Sequence, residues 1–555
     1  MIGSIITKHK LIMNKKSQNR REFLKTGAAG LAAIALFRNA KGEIVNFVDG
    51  DPFPELVEVT ITQLQDQMKS GKLTSRRLVE MYLERIKQVD TKTHAVLELN
   101  PDALAIAEQM DKERKKGKVR GPLHGIPVLI KDNIDTADKM HTTAGSLALL
   151  DAPTPKQDSS VAANLRKAGA VIIGKTNLSE WANFRANPRN GRGTSGWSGR
   201  GGQTNMPYFL DQNPSGSSSG SGVSVSANLC VVAIGSETNG SIISPAVTNG
   251  IVGLKPTVGL VPRSGIIPIS HTQDTAGPMT RTVTDAAILL GAIAGSDKRD
   301  PASADTDKKK AKDYTKFLDP NGLKDARLGL VFSPPQRNGD VYKAYWQPFI
   351  DKLKASGATL VEVTFPDYGP TQADRTNILN YEFKTDIAKY LAERGGKCKT
   401  LEDLIKFNED HKDTELQIFG QEIFIESQKK GDLNDKVYTD AIAKVHKSVR
   451  EDGIDGLLAK NSLDAFVGPT SGAAYSIAAV AGYPSITVPL GLRDIPAGTT
   501  QNGTAIPASI QATGMLFFGA AWSEPKLIKY AYAFEQMTKG RVTPQFLPTF
   551  PKKGV

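Results

Sequence analysis

The chain has 555 residues, 39% of them hydrophobic and 23% charged, with two cysteines and a formal net charge of +12. Such a composition belongs to a globular protein with a large core, and it excludes a disordered chain, a disulfide scaffold and a cysteine-built zinc centre. Nor does the charge mark a nucleic-acid-binding face, because residues 1–45 hold nine Lys/Arg against two Asp/Glu, a surplus of seven that leaves +5 for all the rest.

The first predicted element is an export signal over residues 1–40. Asn19-Arg20-Arg21-Glu22-Phe23-Leu24-Lys25 precedes a short, weakly apolar run, 26–37. A basic head before such a run has the form of a secretory signal, and the arginine pair followed by Phe-Leu-Lys resembles a twin-arginine signal. A bilayer takes about 20 apolar residues to cross, so stable membrane insertion is not expected. The expectation is passage through the twin-arginine machinery to the periplasm or otherwise out of the cell. Met13 as the start would give the arginine pair a more usual depth, and cleavage falls near Ala40.

Thr74 caps a helix whose apolar face is Leu78, Val79, Tyr82, Leu83 and Ile86, and residues 101–115 form another that Gly117 ends. Residues 126–130, IPVLI, read as a buried strand with Lys131 directly after it. A lysine in that position has two readings. It snorkels to solvent or pairs with Asp132 or Asp135, or it is walled in by apolar groups, which lowers its pKa and makes the neutral amine available as a base.

Helix 159–168 and strand 170–174 come next, then a glycine-rich loop, 185–203, with four arginines. Two Gly/Ser turns follow, Gly216-Ser217-Ser218-Ser219-Gly220-Ser221-Gly222 and Gly235-Ser236-Glu237-Thr238-Asn239-Gly240-Ser241, joined by a small-residue run and the apolar strand 230–234. Glycine lets the backbone approach a ligand and leaves successive N–H groups aimed at one point, which suits a developing oxyanion. The plainer reading makes these serines turn formers and helix caps. Neither turn ends in the Gly-Lys-Ser/Thr of a phosphate cradle, and the seven histidines show no metal-binding spacing, so no cofactor or metal is expected.

Beyond the turns, strands are predicted at 328–332, 359–364, 463–469, 485–489 and 515–518, and helices at 341–355, 374–393, 435–451 and 524–539. The alternation predicts an α/β protein with a central sheet between helices. Residues 301–460 are less apolar than their flanks and are expected to contain a cap over the active face.

GIPVLIKDN around Lys131, GKTNLSEWAN from Gly174, both Gly/Ser turns, GLKPT ending at Thr257, DTAGPM from Asp274, AGYPSITVPLG from Ala481 and YAFEQ from Tyr532 occur in this order. Together they resemble the amidase signature family over nearly the whole chain. SGWSGRGGQT from Ser195 and PISHTQDTAGPM from Pro268 are most similar to its bacterial peptide amidase branch, whose members remove the C-terminal amide from peptides. The resemblance implies one large α/β domain, residues 55–545, with a mixed sheet between helices, acting on a small-molecule or peptide amide. It implies a Ser-cisSer-Lys triad with Lys131 as base, Ser217 as bridge and Ser241 as nucleophile, with Ser218 in support. The N–H groups of Thr238, Asn239, Gly240 and Ser241 are then the expected oxyanion hole.

Serine is a poor nucleophile until a base takes its proton, and no histidine stands beside either turn, so the neutral lysine that the resemblance implies is a base able to do this work. The chain departs from the family pattern in Glu237-Thr238-Asn239, where Asp-x-Gly is usual, and in Ser219 and Ser221, where glycines are common. Three rivals are weighed. An amidotransferase A-type subunit would pass ammonia to a cytosolic partner, which an export signal opposes, and a non-catalytic exported binding protein would have lost a triad residue, yet all three are present. For a penicillin-binding type of enzyme, Ser427-Gln428-Lys429-Lys430 fits SxxK but lies in a charged helical stretch, the one KTG falls in the signal, and SDN is absent.

Overall fold

The computed structural model describes residues 53–186, 195–332, 339–495, 498–499, 505–506 and 509–550. The expected export signal lies outside these residues. Residues Glu55–Val555 form one compact unit.

Runs of Val, Ile and Leu closed by glycine, proline or polar residues become the strands of an eleven-stranded mixed sheet. In chain order these are β1 (Val96–Leu99), β2 (Pro127–Lys131), β3 (Val171–Thr176), β4 (Val232–Glu237), β5 (Val252–Lys255) and β6 (Thr275–Thr280). They continue with β7 (Arg327–Leu330), β8 (Thr359–Glu362), β9 (Ala465–Pro469), β10 (Ser485–Ile495) and β11 (Ser509–Phe518). Across the sheet the order is β1-β3-β2-β4-β6-β5-β10-β11-β9-β7-β8. Strands β2, β3, β4 and β6 are buried along their whole length, the first three through apolar runs and β6, Thr-Ala-Gly-Pro-Met-Thr, through its small residues. Parallel pairing of β2 with β4, Val128 opposite Val232 and Ile130 opposite Ile234, brings their carboxyl ends side by side. In open α/β sheets that edge is where ligands bind.

The predicted alternation holds, with differences that have local causes. Residues 219–226, read as a turn and small-residue run, form a helix, Ser219–Ser226, with all eight residues buried. Two of its serines find partners there: Ser221 Oγ donates to the Ile234 carbonyl at 3.0 Å and lies 2.7 Å from Thr176 Oγ1, and Ser226 Oγ donates to the Asn249 carbonyl at 2.7 Å. Enclosure on all sides and these partners outweigh a poor helix propensity. Gly235, Ser236 and Glu237, assigned to the second turn, instead finish β4, where β6 pairs with them. Within 301–460, β7 and β8 belong to the sheet, so the helical portion narrows to 369–461, which includes Gln372–Arg394 and Lys436–His446. Among the described residues no helix is long and apolar enough to cross a membrane.

Gly235 and Gly277 face each other across β4 and β6. A Cβ on Gly277 would stand 2.1 Å from the Leu254 carbonyl oxygen, and one on Gly235 would stand 2.9 Å from Ser218 Oγ. Bare backbone here lets β5 close against β6 and the first serine turn close against β4. Gly277→Ala should therefore cost about 1–3 kcal/mol, as overpacking of a closed core does. The denaturant midpoint checks this, and an unchanged midpoint would mean that β5 yields freely.

Candidate active site

Lys131 is the last residue of β2 and is 0% exposed. Its Nζ lies 2.7 Å from Ser217 Oγ, 2.9 Å from Ser236 Oγ and 3.2 Å from the Ser236 carbonyl oxygen. No carboxylate is among these partners. Burial pushes its pKa from the ordinary 10.5 down to about 7, because an ammonium loses its hydration there, and the charges of Asp274 and Glu237 oppose this only in part. The snorkelling and ion-pair readings of Lys131 are thereby excluded.

The first serine turn reaches this lysine from the other side. The Gly216–Ser217 peptide bond is cis. The Ser217 carbonyl accepts from the Ser179 N–H at 3.0 Å, and Ser219 Oγ donates to the Ser215 carbonyl at 2.6 Å, so the turn is held at both ends. A Cβ on Gly216 would stand 2.3 Å from Ser179 Oγ, which explains the glycine before Ser217. Ser218 ties the turn to β4: its Oγ donates to the Ser236 carbonyl at 3.1 Å and accepts from the Ser236 N–H at 3.2 Å. The Ser218 N–H donates to the Ser241 carbonyl at 3.2 Å, which joins the two expected serine sites through the backbone.

Residues 238–241 form the loop after β4, and Glu237 organises it. One carboxylate oxygen accepts from the Gly240 N–H at 2.7 Å, and the other accepts from the N–H groups of Ile242 and Ile243 at 2.8 and 3.0 Å. The longer side chain in place of the family's aspartate thus closes the loop onto itself and caps the start of helix Ile243–Thr248. Of the four expected oxyanion donors, the Gly240 N–H is thus engaged by Glu237 in this structure. Among the described residues nothing accepts from the N–H groups of Thr238, Asn239 and Ser241. The side chains of the loop are anchored as well, Thr238 Oγ1 donating to Asp274 at 2.5 Å and Asn239 Nδ2 to Ser476 Oγ at 3.0 Å. Gly240 has φ +81°, and a Cβ there would stand 2.6 Å from the Tyr475 ring.

A cavity of about 660 Å³ adjoins this centre, with Asn133, Ser236, Thr238, Asp274, Ile267 and Arg394 in its wall. Neither Ser217 nor Ser241 lines it, so it reaches Ser236 and Asn133 rather than the two serines of the expected triad. Burial lifts Asp274 to about 6, although Thr238 and the N–H groups of Ile269 and Ser270 bond to it. Among the described residues no His, Cys, Asp and Glu cluster is arranged to hold a metal ion.

Ser236, Asn133, Glu237 and Asp274 were not assigned site roles from sequence. Asn133 is two residues from Lys131 in the KDN motif, and Ser236 and Glu237 sit within the second turn, so position near a motif was the available signal.

A family model described as Amidase matches residues 77–528. The chain is 41% identical over 500 residues to a probable amidase of Arabidopsis thaliana, covering 88% of this chain and 92% of that protein. It is 32% identical to the A-type subunit of the glutamyl-tRNA(Gln) amidotransferase of Thermoanaerobacter pseudethanolicus, covering 88% and 99%. Among solved structures, the native peptide amidase of Stenotrophomonas maltophilia superposes with a TM-score of 0.81 at 46% identity, covering 89% of this chain and all of that one.

The buried amine has a consequence for stability. Between about 7 and 10.5 the unfolded chain holds a proton at Lys131 that the folded chain has released, so this group makes stability rise with pH. Lys131→Met removes that contribution. Relative to the variant, the unmodified protein should gain up to about 1.4 kcal/mol per pH unit across this window. Unfolding midpoints of the pair at pH 7, 8.5 and 10 test it, and parallel pH dependences would contradict the desolvated amine.

Proposed function

This chain belongs to the amidase family, and on that footing we propose that it is an exported hydrolase that cleaves peptide C-terminal amides with Ser241, Ser217 and Lys131. The observation that carries this reading is the buried Lys131 amine 2.7 Å from Ser217 Oγ, with no carboxylate bonded to it. At neutral pH a substantial fraction of such an amine is uncharged and able to accept a proton. Lys131 takes the proton of Ser217, Ser217 takes that of Ser241, and the Ser241 oxygen attacks the amide carbonyl. The N–H groups of Thr238, Asn239 and Ser241 receive the oxyanion, a contribution of about 3 kcal/mol per donor. Lys131 returns its proton through Ser217 to the leaving nitrogen, and ammonia departs from the acyl-enzyme. Water then repeats the sequence in the place of Ser241, releasing the carboxylate.

Likeness to a peptide amidase at 46% identity supports a peptide amide as substrate. The amidotransferase reading has weaker support, since the 32% match to a protein of that kind falls below the 41% match to an amidase. The arginine pair at Arg20 and Arg21 supports export through the twin-arginine machinery. A non-catalytic binding role would leave the desolvation of Lys131 without a purpose.

Ser241→Ala and Lys131→Ala should each abolish ammonia release from an N-acetyl dipeptide amide while the far-UV circular dichroism spectrum is retained. Either variant turning over like the unmodified enzyme would overturn the triad, whereas no ammonia release by the unmodified protein would return it to the binding class. In the unmodified enzyme kcat/KM should rise with pH through about 7, because a protonated Lys131 cannot accept the serine proton. A flat profile from pH 5 to 9 would rule out Lys131 as the base. Location has its own test: replacing Arg20 and Arg21 together by lysine should retain the protein in the cell, and undiminished export would remove the signal assignment.

A further inference from the structure

A neutral primary amine has two N–H bonds and one lone pair, and only the lone pair can accept a proton. Lys131 has three oxygen neighbours: Ser217 Oγ, Ser236 Oγ and the Ser236 carbonyl. Which of them faces the lone pair decides whether Lys131 can act as a base. The carbonyl oxygen can only accept, so it takes one N–H. The two hydroxyls compete for what remains. If Ser236 donated its hydrogen to Lys131, the lone pair would be occupied and Ser217 would be left as an acceptor, which reverses the relay.

We propose that Ser236 and Asn133 form a positioning pair that turns the Lys131 lone pair onto the Ser217 hydroxyl. The proposal rests on the reading of Lys131 as the base. Asn133 is 2% exposed, and its Nδ2 donates to Ser236 Oγ at 2.9 Å. One lone pair of that oxygen is thereby filled, and the second is free to accept the remaining Lys131 N–H at 2.9 Å. The Ser236 hydrogen has somewhere else to go, because Ser236 and Asn133 both line the adjoining cavity while Ser217 does not. Turning the amide over gives the same outcome. Asn133 Oδ1 has no hydrogen-bond partner among the described residues, and in that orientation it would take the Ser236 hydrogen and again leave Ser236 Oγ an acceptor toward Lys131. With both N–H bonds directed at Ser236, the lone pair is left for the shortest contact, Ser217 at 2.7 Å.

Neither residue exchanges a proton in the proposed relay, and Ser236 acts only through its contacts with Lys131 Nζ, so the test needs a readout that bulk alone would not move. Ammonia release from an N-acetyl dipeptide amide is followed as a function of pH for Ser236→Ala, Ser236→Thr and Asn133→Leu. In Ser236→Ala, kcat should fall about 10- to 100-fold, a fraction of what general-base catalysis supplies, with KM within about twofold. The acid limb should also move to lower pH, because the Lys131 ammonium loses an acceptor that stabilises it. Asn133→Leu should lower kcat in the same direction, and Ser236→Thr, which keeps the hydroxyl, should restore most of the rate. Unchanged kcat and an unmoved acid limb in Ser236→Ala would overturn the proposal, as would Ser236→Thr being as slow as Ser236→Ala. Failure of the triad itself is distinguished by turnover persisting in Ser241→Ala or Lys131→Ala, whatever the Ser236 variants do.

Discussion

The site depends on one lysine losing its water without gaining a counterion. Removing an ammonium from water is costly unless a carboxylate compensates, and the chain avoids part of that cost by letting Lys131 release its proton near neutrality. The sheet makes this possible. Because β2 and β4 run parallel in adjacent positions, the end of one delivers the lysine and the end of the other delivers Ser236, all within fully buried strands. The lysine therefore meets hydroxyl and carbonyl oxygens, which orient an amine without fixing a charge on it.

A second constraint operates on the loop that follows β4. In the proposed mechanism this loop supplies the oxyanion donors, which must point at empty space, and such a loop is held open only if other groups fix it. Glu237 does this by accepting three N–H groups from the loop and the first turn of the next helix, while Asp274 and Ser476 hold the side chains of Thr238 and Asn239. Ser218 then links this loop and β4 to the turn bearing Ser217. The fixed points of the site thus come from β2, β4, the first serine turn and the Asp274 loop, each far from the others in sequence.

That distance in sequence governs what could be read beforehand. Lys131 stood out because a charge directly after five apolar residues is incongruous, although its role came from the family resemblance, and the sheet was legible where strands carry apolar runs, as in β2, β3 and β4, but not in β1, β5 or the Thr-Ala-Gly-Pro-Met-Thr of β6. Helix Ser219–Ser226 was not, since its residues favour turns and only enclosure by β3, β4 and their neighbours makes it helical. The engagement of the Gly240 N–H was hidden for a related reason: glutamate in place of aspartate looks conservative, and only coordinates reveal that the longer side chain reaches Gly240. Ser236 and Asn133 lacked a signal of their own because serine and asparagine are common in any polar loop, and their meaning arises from a lysine across two strands.

The same reasoning explains the carboxylates that do not touch Lys131. Asp132 and Asp135 are its near neighbours in sequence, and an ion pair with either would hold the amine protonated and remove its basicity. Both are diverted. Asp132 accepts from Thr143 Oγ1 at 2.5 Å and from the Gly145 N–H at 3.2 Å, and it lies 3.5 Å from Arg200. Asp135 accepts from Tyr390 Oη at 3.0 Å and stands 4.0 Å from Arg394. The carboxylates whose charge does reach Lys131 are Glu237 and Asp274, and each is occupied by loop N–H groups or a hydroxyl rather than by the amine. Their distant attraction tempers the desolvation without cancelling it, which keeps the lysine titrating close to neutrality instead of far below it. Bringing any one of these four acids into contact with Nζ would stabilise the buried charge and, by the same step, remove the basicity that the proposed mechanism needs.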